Sequence, residues 1–229
     1  MVSKKEETIK EMSKNGLHLG HKVSKLHPSM KDYIVGIKNN VHIIDLKKTE
    51  ACLKEALNFV SGLLKEDGNI ILVGTKTPLR QVVRETAEES KIPYVTDRWI
   101  GGTFTNFREI SKRIDYYNKL LEDRKEGKLE ELSKKEKSRK EKEFKEMESK
   151  FEGIKDLKKV PEAVFICDLV KDDTALREAK QRGIKVVAVV DTNADYQAVD
   201  YPIPANDDAI TSVKYILDKL KKTIIKSRK

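Results

Sequence analysis

Three short apolar runs constrain this chain more than anything else in it: NIILVGT from Asn69, AVFICDL from Ala163 and KVVAVVDT from Lys185. Each is too short for a helix and too evenly apolar for a strand with one wet face, so each reads as a strand buried on both faces. Around them the spacing turns helical. Residues 47–65 place Leu53, Leu57, Val60 and Leu64 at helical intervals; further helices are expected after Thr77–Pro78, from about Asp172 to Arg182, and after Asn206, Asp207 and Asp208. IPYV and YPIP add two short strands. Strands alternating with helices predict the α/β class, with a mainly parallel sheet covered on both faces. Thr77, Asp172 and Asp207 are expected as helix N-caps, because a short acceptor side chain there satisfies a free first-turn amide. Near the start, DYIVGIKNNVHIIDL sets two apolar runs around Lys-Asn-Asn; Asn tolerates positive φ, so a β-hairpin is predicted. Ser3 with Glu6 predicts a capping box on a short helix carrying Ile9 and Met12 and ended by Gly16.

From Phe107 to about Ile154 this rhythm breaks. Phe107, Ile110, Ile114, Tyr117 and Leu121 repeat at three and four, as do Phe144, Met147, Phe151 and Ile154, with KEGKLEELS between the two sets. The pattern predicts an antiparallel helical hairpin with an a/d seam. Ser133 to Glu143 contains no apolar residue, so the seam is confined to the root. The expected organisation is therefore an α/β unit of residues 1–106 and 155–229 with an inserted hairpin of residues 107–154. RWIGGTFTNF, from Arg98, holds the only Trp and stands at the junction. Trp99 is expected to pack there. Gly101 and Gly102 allow a sharp turn or a close approach. Thr103 or Thr105 is expected to cap the first arm helix, and Asn106 belongs to the same joint.

The formal net charge of +9 on 229 residues favours a polyanionic partner, nucleic acid before anionic membrane. No apolar stretch approaches the ~20 residues that span a bilayer. The opening MVSKKEETIKEMSKNG is acidic and lacks an apolar centre, so it reads as neither signal nor transit peptide. Cys52 and Cys167 lie far apart and read as buried thiols of a reducing compartment. The candidate phosphate contacts are Lys22, Lys25, Lys31 and Lys38; Arg98, Arg108, Lys112 and Arg113 at the arm's root; and Lys221 and Lys222 in a basic tail expected to lose order beyond about Lys226.

Other chemistry is weakly marked. HLGH has tolerable metal spacing, but no second ligand pair follows, so no metal site is expected. VGTKTPLR lacks the G-x-x-x-x-G-K-[ST] spacing of a phosphate loop, and no cofactor is expected. Asp168, Asp191, Asp195, Asp207 and Asp208 could converge at the sheet's C-terminal edge. That leaves a nucleotide- or magnesium-dependent α/β enzyme as the alternative to an RNA-binding protein, with a coiled-coil adaptor third.

Taken in order, GLHLGH, HPSMKDYIVGIKNNVHIIDLKKT, ILVGTK, RWIGGTFTNF, VVAVVDTNAD and IPANDDAI resemble the family of the second protein of the bacterial-type small ribosomal subunit, over nearly the whole chain. The resemblance implies a flavodoxin-like three-layer α/β/α domain with a protruding coiled-coil hairpin, cytoplasmic and without catalysis. It also implies binding to small-subunit ribosomal RNA near the head–body junction, with other small-subunit proteins, including the large messenger-binding one, as partners. The chain departs from the family at Ser24, Leu26 and Ser29, where a Trp and basic residues are common.

Overall fold

The computed structural model describes residues 4–128 and 133–228. The buried runs become β4 (Ile70–Val73), β6 (Ala163–Ile166) and β7 (Lys185–Val190), joined by β5 (Tyr94–Val95) and β8 (Tyr201–Pro204) in one five-stranded sheet. Its order is β5-β4-β6-β7-β8 and every pairing is parallel. Numbered within the sheet this is 2-1-3-4-5, the flavodoxin-like winding, whose order reverses between β4 and β6. Alternate strand residues feed two cores. Ile70, Leu72, Phe165, Val187 and Val189 face α2 (Leu46–Lys65), α3 (Arg80–Ser90) and α7 (Ile210–Ser227). Ile71, Val73, Val164, Ile166, Val186 and Val190 face α6 (Asp173–Arg182) and the roots of α4 (Phe107–Lys125) and α5 (Lys134–Phe151). The result is a three-layer α/β/α sandwich.

The hairpin near the start forms as β2 (Ile34–Lys38) and β3 (Val41–Ile44), turning through Asn39 and Asn40 at φ 50 and 61. A third strand, β1 (Leu19–Lys22), pairs antiparallel with β3 and makes a separate small sheet. Its residues, Leu-Gly-His-Lys, alternate in no way that marks a strand. The helix before it, α1 (Lys4–Lys14), forms as expected; the Ser3 capping box lies outside the described residues.

The arm's seam is Ile110, Ile114, Tyr117 and Leu120 against Phe144, with Phe151 and Ile154 at the root. Leu120 replaces the expected Leu121, which is half-buried: a helix turns 3.6 residues, and the contact phase shifts by one position along it. Tyr117 and Phe144 rings lie 5.8 Å apart, and the Arg124 guanidinium sits 4.4 Å over Phe144. Tyr116 Oη donates to Glu143 at 2.6 Å. Ser133 and Glu136 form a reciprocal capping box that starts α5, readable in retrospect from the S-x-x-E spacing. Residues 129–132 of the expected turn lie outside the described set. At the other end of the chain, α7 runs to Ser227, and Arg228 donates to the carbonyls of Ser90 and Lys91 at 2.7 and 3.0 Å. The expectation of lost order beyond Lys226 meets two described residues there, Ser227 still in the helix and Arg228 bonded to α3's end; Lys229 lies outside the described residues.

Candidate functional site

The crevice at the reversal of strand order is where open α/β sheets usually bind ligands. Here a side chain of the protein fills it. Lys76, just past β4, donates to Asp168 at 2.9 Å, Asp207 at 3.2 Å and Asp208 at 2.6 Å. Burial pulls the Lys76 pKa down, but its bonds to Asp208 and Asp168 and the charge on Asp207 outweigh that, and the net shift is upward. Burial, with the charges of Asp168 and Asp191, pushes Asp207 up to about 7, against the pull of Lys76. Three of the five expected aspartates thus converge around a lysine, and Asp191 joins them by accepting the Asp207 amide at 3.3 Å. The fifth, Asp195, lies 3.9 Å from His27.

The same cluster corrects three expected caps. Asp207 is 1% exposed and its carboxylate turns to Lys76, while Asn206 Oδ1 accepts the amides of Asp208 and Ala209 before α7. Asp172 stands at the N-cap of α6 but makes no capping bond; its carboxylate accepts from Thr75 Oγ1 at 2.7 Å and from the Thr75 amide at 3.2 Å. Burial raises the Asp172 pKa despite those two bonds. Thr77 caps nothing: it lies inside a 3-10 turn of Thr77–Leu79, and α3 begins only at Arg80. In each case a tertiary contact or a tighter turn displaced a local one.

His21 reaches this edge from β1. Its Nδ1 lies 3.1 Å from Asp191 and its Nε2 3.4 Å from Asp208, off the hydrogen-bond axis but within ion-pair range. The contact with Asp191 raises the His21 pKa, burial opposes it, and the other carboxylates add to the rise. His21, Asp191 and Asp207 bring one donor atom each within 4.8 Å of one another, a nitrogen-and-carboxylate set able to ligate a divalent cation. Sequence spacing could not show this set, because its members come from three separate segments. The N-terminal segment is tied to this edge by backbone as well: the His27 amide donates to the Thr192 carbonyl and the His21 amide to Thr192 Oγ1, both at 2.8 Å.

The second notable geometry is the arm's joint. Glu178, on α6, is buried under the RWIGGTFTNF loop. It accepts from Trp99 Nε1 at 3.2 Å and from the amides of Gly102 at 2.7 Å, Phe104 at 2.9 Å and Thr105 at 3.3 Å. Burial works to raise the Glu178 pKa, but the Phe104, Gly102 and Thr105 amides and the Trp99 indole outweigh it, and the net shift is downward. Trp99 packs edge-on against Phe104 at 4.7 Å, where arm and sheet meet. Gly102 takes φ +94. Neither threonine caps α4: Thr103 Oγ1 donates to the Ile100 carbonyl, Thr105 Oγ1 turns to Glu178, and Asn106 holds the N-cap position without a side-chain bond. Nothing in the sequence marks Glu178, an unremarkable acid on a short helix.

The ten candidate cations divide. Lys22, Lys31, Lys38, Arg98, Arg108, Arg113 and Lys222 are exposed and have no acidic partner among the described residues; Lys25 is exposed as well, but its charge acts on Asp208. Lys112 is held by Glu109 at 2.7 Å, and Lys221 by Glu89 at 2.9 Å. Lys22 and Lys25 lie on the segment that His21 and His27 tie to the sheet's C-terminal edge, Lys31 follows that segment, and Arg98, Arg108 and Arg113 follow β5 along the chain into the arm. Lys221 and Lys222 do not join them, because α7 carries them toward the opposite edge. Sequence reading missed Arg182, whose Nε donates to the Phe104 carbonyl at 2.9 Å within the joint.

A sheet-edge crevice filled by the protein's own lysine, a helical arm packed at its root and a scatter of unpaired cations define an α/β protein with an inserted helical hairpin. Residues 12–227 match the family described as Ribosomal protein S2, and the chain belongs to that family, whose members are structural proteins and not enzymes. It is 42% identical over 221 residues to the small ribosomal subunit protein uS2 of Coprothermobacter proteolyticus, covering 96% of this chain and 82% of that one. It is 38% identical over 220 residues to uS2 of Dehalococcoides mccartyi (96% and 90% covered) and 39% over 220 residues to uS2 of Dictyoglomus thermophilum (96% and 89% covered).

Proposed function

We propose that the chain is a structural constituent of the small ribosomal subunit in the cytoplasm. In this role it binds small-subunit ribosomal RNA near the head–body junction and supports subunit assembly and translation. The observation that carries this reading is the set of unpaired cations on the N-terminal segment and the arm's root, Lys22, Lys31, Lys38, Arg98, Arg108 and Arg113, set against a sheet edge whose carboxylates already hold a cation. Partnerless surface lysines and arginines suit phosphates, and neutralising them releases counterions. Lys112 and Lys221 contribute less, being paired, and Lys222 stands apart. Other small-subunit proteins, including the large messenger-binding one, complete the set of partners. The test is binding of purified protein to small-subunit ribosomal RNA as salt is varied. The slope of log K against log salt is expected to be negative and of the order of 0.7–0.9 per phosphate neutralised. Affinity flat between ~50 and 200 mM salt would remove the electrostatic basis.

A further inference from the structure

We infer that the arm's joint is itself a docking surface for the backbone of double-helical RNA, which lies against Gly101 among the guanidinium groups of Arg98, Arg108 and Arg182. The inference rests on the RNA-binding reading above and gives it a place and a class of RNA.

Two glycines stand side by side in the joint, and the fold accounts for one. Gly102 needs its positive φ, and a Cβ there would press on Asn106 at 3.3 Å. Gly101 has no such need: its φ lies outside the left-handed region, it is exposed, and a Cβ built on it meets nothing within 4 Å. Among the described residues nothing accepts its amide hydrogen. Glycine where the chain itself leaves room for any side chain suits a surface that must let a ligand's backbone come close.

The surroundings identify that ligand. Arg98 and Arg108 are exposed without acidic partners among the described residues. Arg182 commits its Nε to Phe104 and leaves the rest of its fork free. Arginine forks match phosphate oxygens. Of the loop's three aromatics, Trp99 and Phe104 point inward at 6% and 0% exposure and Phe107 is half-buried, so no fully exposed ring offers a stacking face. Recognition of unpaired RNA leans on bases stacked against exposed aromatic rings; helical RNA is read by backbone and shape. A cationic surface without such rings, held rigid from beneath by Glu178, fits the helix.

The test uses the full chain and small-subunit ribosomal RNA in a filter-binding assay, with the unfolding midpoint of each variant measured alongside. Gly101→Leu should unfold at the wild-type midpoint yet bind at least tenfold more weakly, and a short RNA duplex should compete better than an unpaired strand of equal length. Wild-type affinity in a folded Gly101→Leu variant, or better competition by the unpaired strand, overturns the inference while leaving RNA binding elsewhere on the protein intact. Failure of the wild-type protein to bind the RNA at all overturns the broader reading instead. Should Gly101→Leu lower the midpoint, the pair Arg98→Ala and Arg108→Ala, which removes no internal contact, carries the same expectation and the same refutation.

Discussion

Replacing Glu178 with alanine takes away the acceptor for the Trp99 indole and for the amides of Gly102, Phe104 and Thr105. The half-buried Gly102 and Thr105 can turn to water. Trp99 and Phe104, at 6% and 0% exposure, cannot. Two buried donors left without partners cost about 1–3 kcal/mol each, so the expected loss is about 2–6 kcal/mol. For a chain of this size that corresponds to a fall of roughly 4–24 °C in Tm. The loss should begin at the joint. Trp99 is the only tryptophan, so its emission reports that place alone. In Glu178→Ala the native emission should shift to the red while helical circular dichroism is retained, and urea unfolding should show the lower stability. Glu178→Gln keeps one acceptor oxygen but loses the charge, and should fall between. The wild-type contribution has a sign in pH: the folded pKa of Glu178 is depressed, so its stabilisation is present above the ordinary glutamate range and is lost as pH falls through the folded value. A loss under ~1 kcal/mol with unchanged emission would refute the idea that this carboxylate holds the loop.

Other outcomes follow from the same structure. Ile114→Ala, at 3% exposure in the arm's seam, should cost about 2–5 kcal/mol, whereas Lys142→Ala on the exposed face of α5 should stay within ~0.5 kcal/mol; equal losses by chemical denaturation would mean the arm packs some other way. Lys76→Met leaves Asp168, Asp207 and Asp208 facing one another and should destabilise by about 3 kcal/mol or more, more at pH 8 than at pH 6; a neutral effect at pH 8 would deny the lysine its role. With a chelator present, the wild-type Tm should fall from pH 6 to pH 8. Asp207 titrates at about 7 when folded against an ordinary 3.8, so the folded state is favoured by protonation between those values. The raised pKa of His21 adds stabilisation that is lost as pH climbs through it, and a Tm rising over that interval would contradict both signs. Gly153→Ala would set a Cβ 2.2 Å from the Tyr94 carbonyl oxygen and should lower Tm clearly, while Gly101→Ala should leave it unchanged; the reverse ranking by calorimetry would show the arm's root is not where it is described.

Much of the architecture was legible because burial writes itself into spacing. The runs at Ile70, Ala163 and Lys185 could be nothing but doubly covered strands, and Asn39–Asn40 announced its turn. Caps were not legible for a physical reason: Thr77, Asp172 and Asp207 all have suitable side chains in plausible places, but Asp172 and Asp207 are claimed by Thr75 and Lys76 from other strands' ends. Local sequence cannot show such competition. Glu178 shows the same limit more strongly. Its contact with the Gly102 amide spans 76 residues, and no motif precedes it. The joint's importance was readable from RWIGGTFTNF, but what holds it was not. For the cations, residue type was visible and pairing was not; Lys112 and Lys221 looked like Lys22 until the neighbouring Glu109 and Glu89 were in view.

The most direct test of the account is sedimentation of the tagged full chain with ribosomal subunits from cells expressing it, at ~50 and ~200 mM salt and with Arg98→Ala, Arg108→Ala, Lys22→Ala and Lys38→Ala combined in a parallel sample. The wild-type chain should travel with the small subunit and not the large one. The fourfold variant, folded by circular dichroism, should be largely lost to the top of the gradient at the higher salt. A wild-type chain that stays unbound at both salt concentrations would contradict the claim that this is a structural protein of the small subunit. A fourfold variant that sediments as the wild type does would contradict the claim that these unpaired cations hold it there.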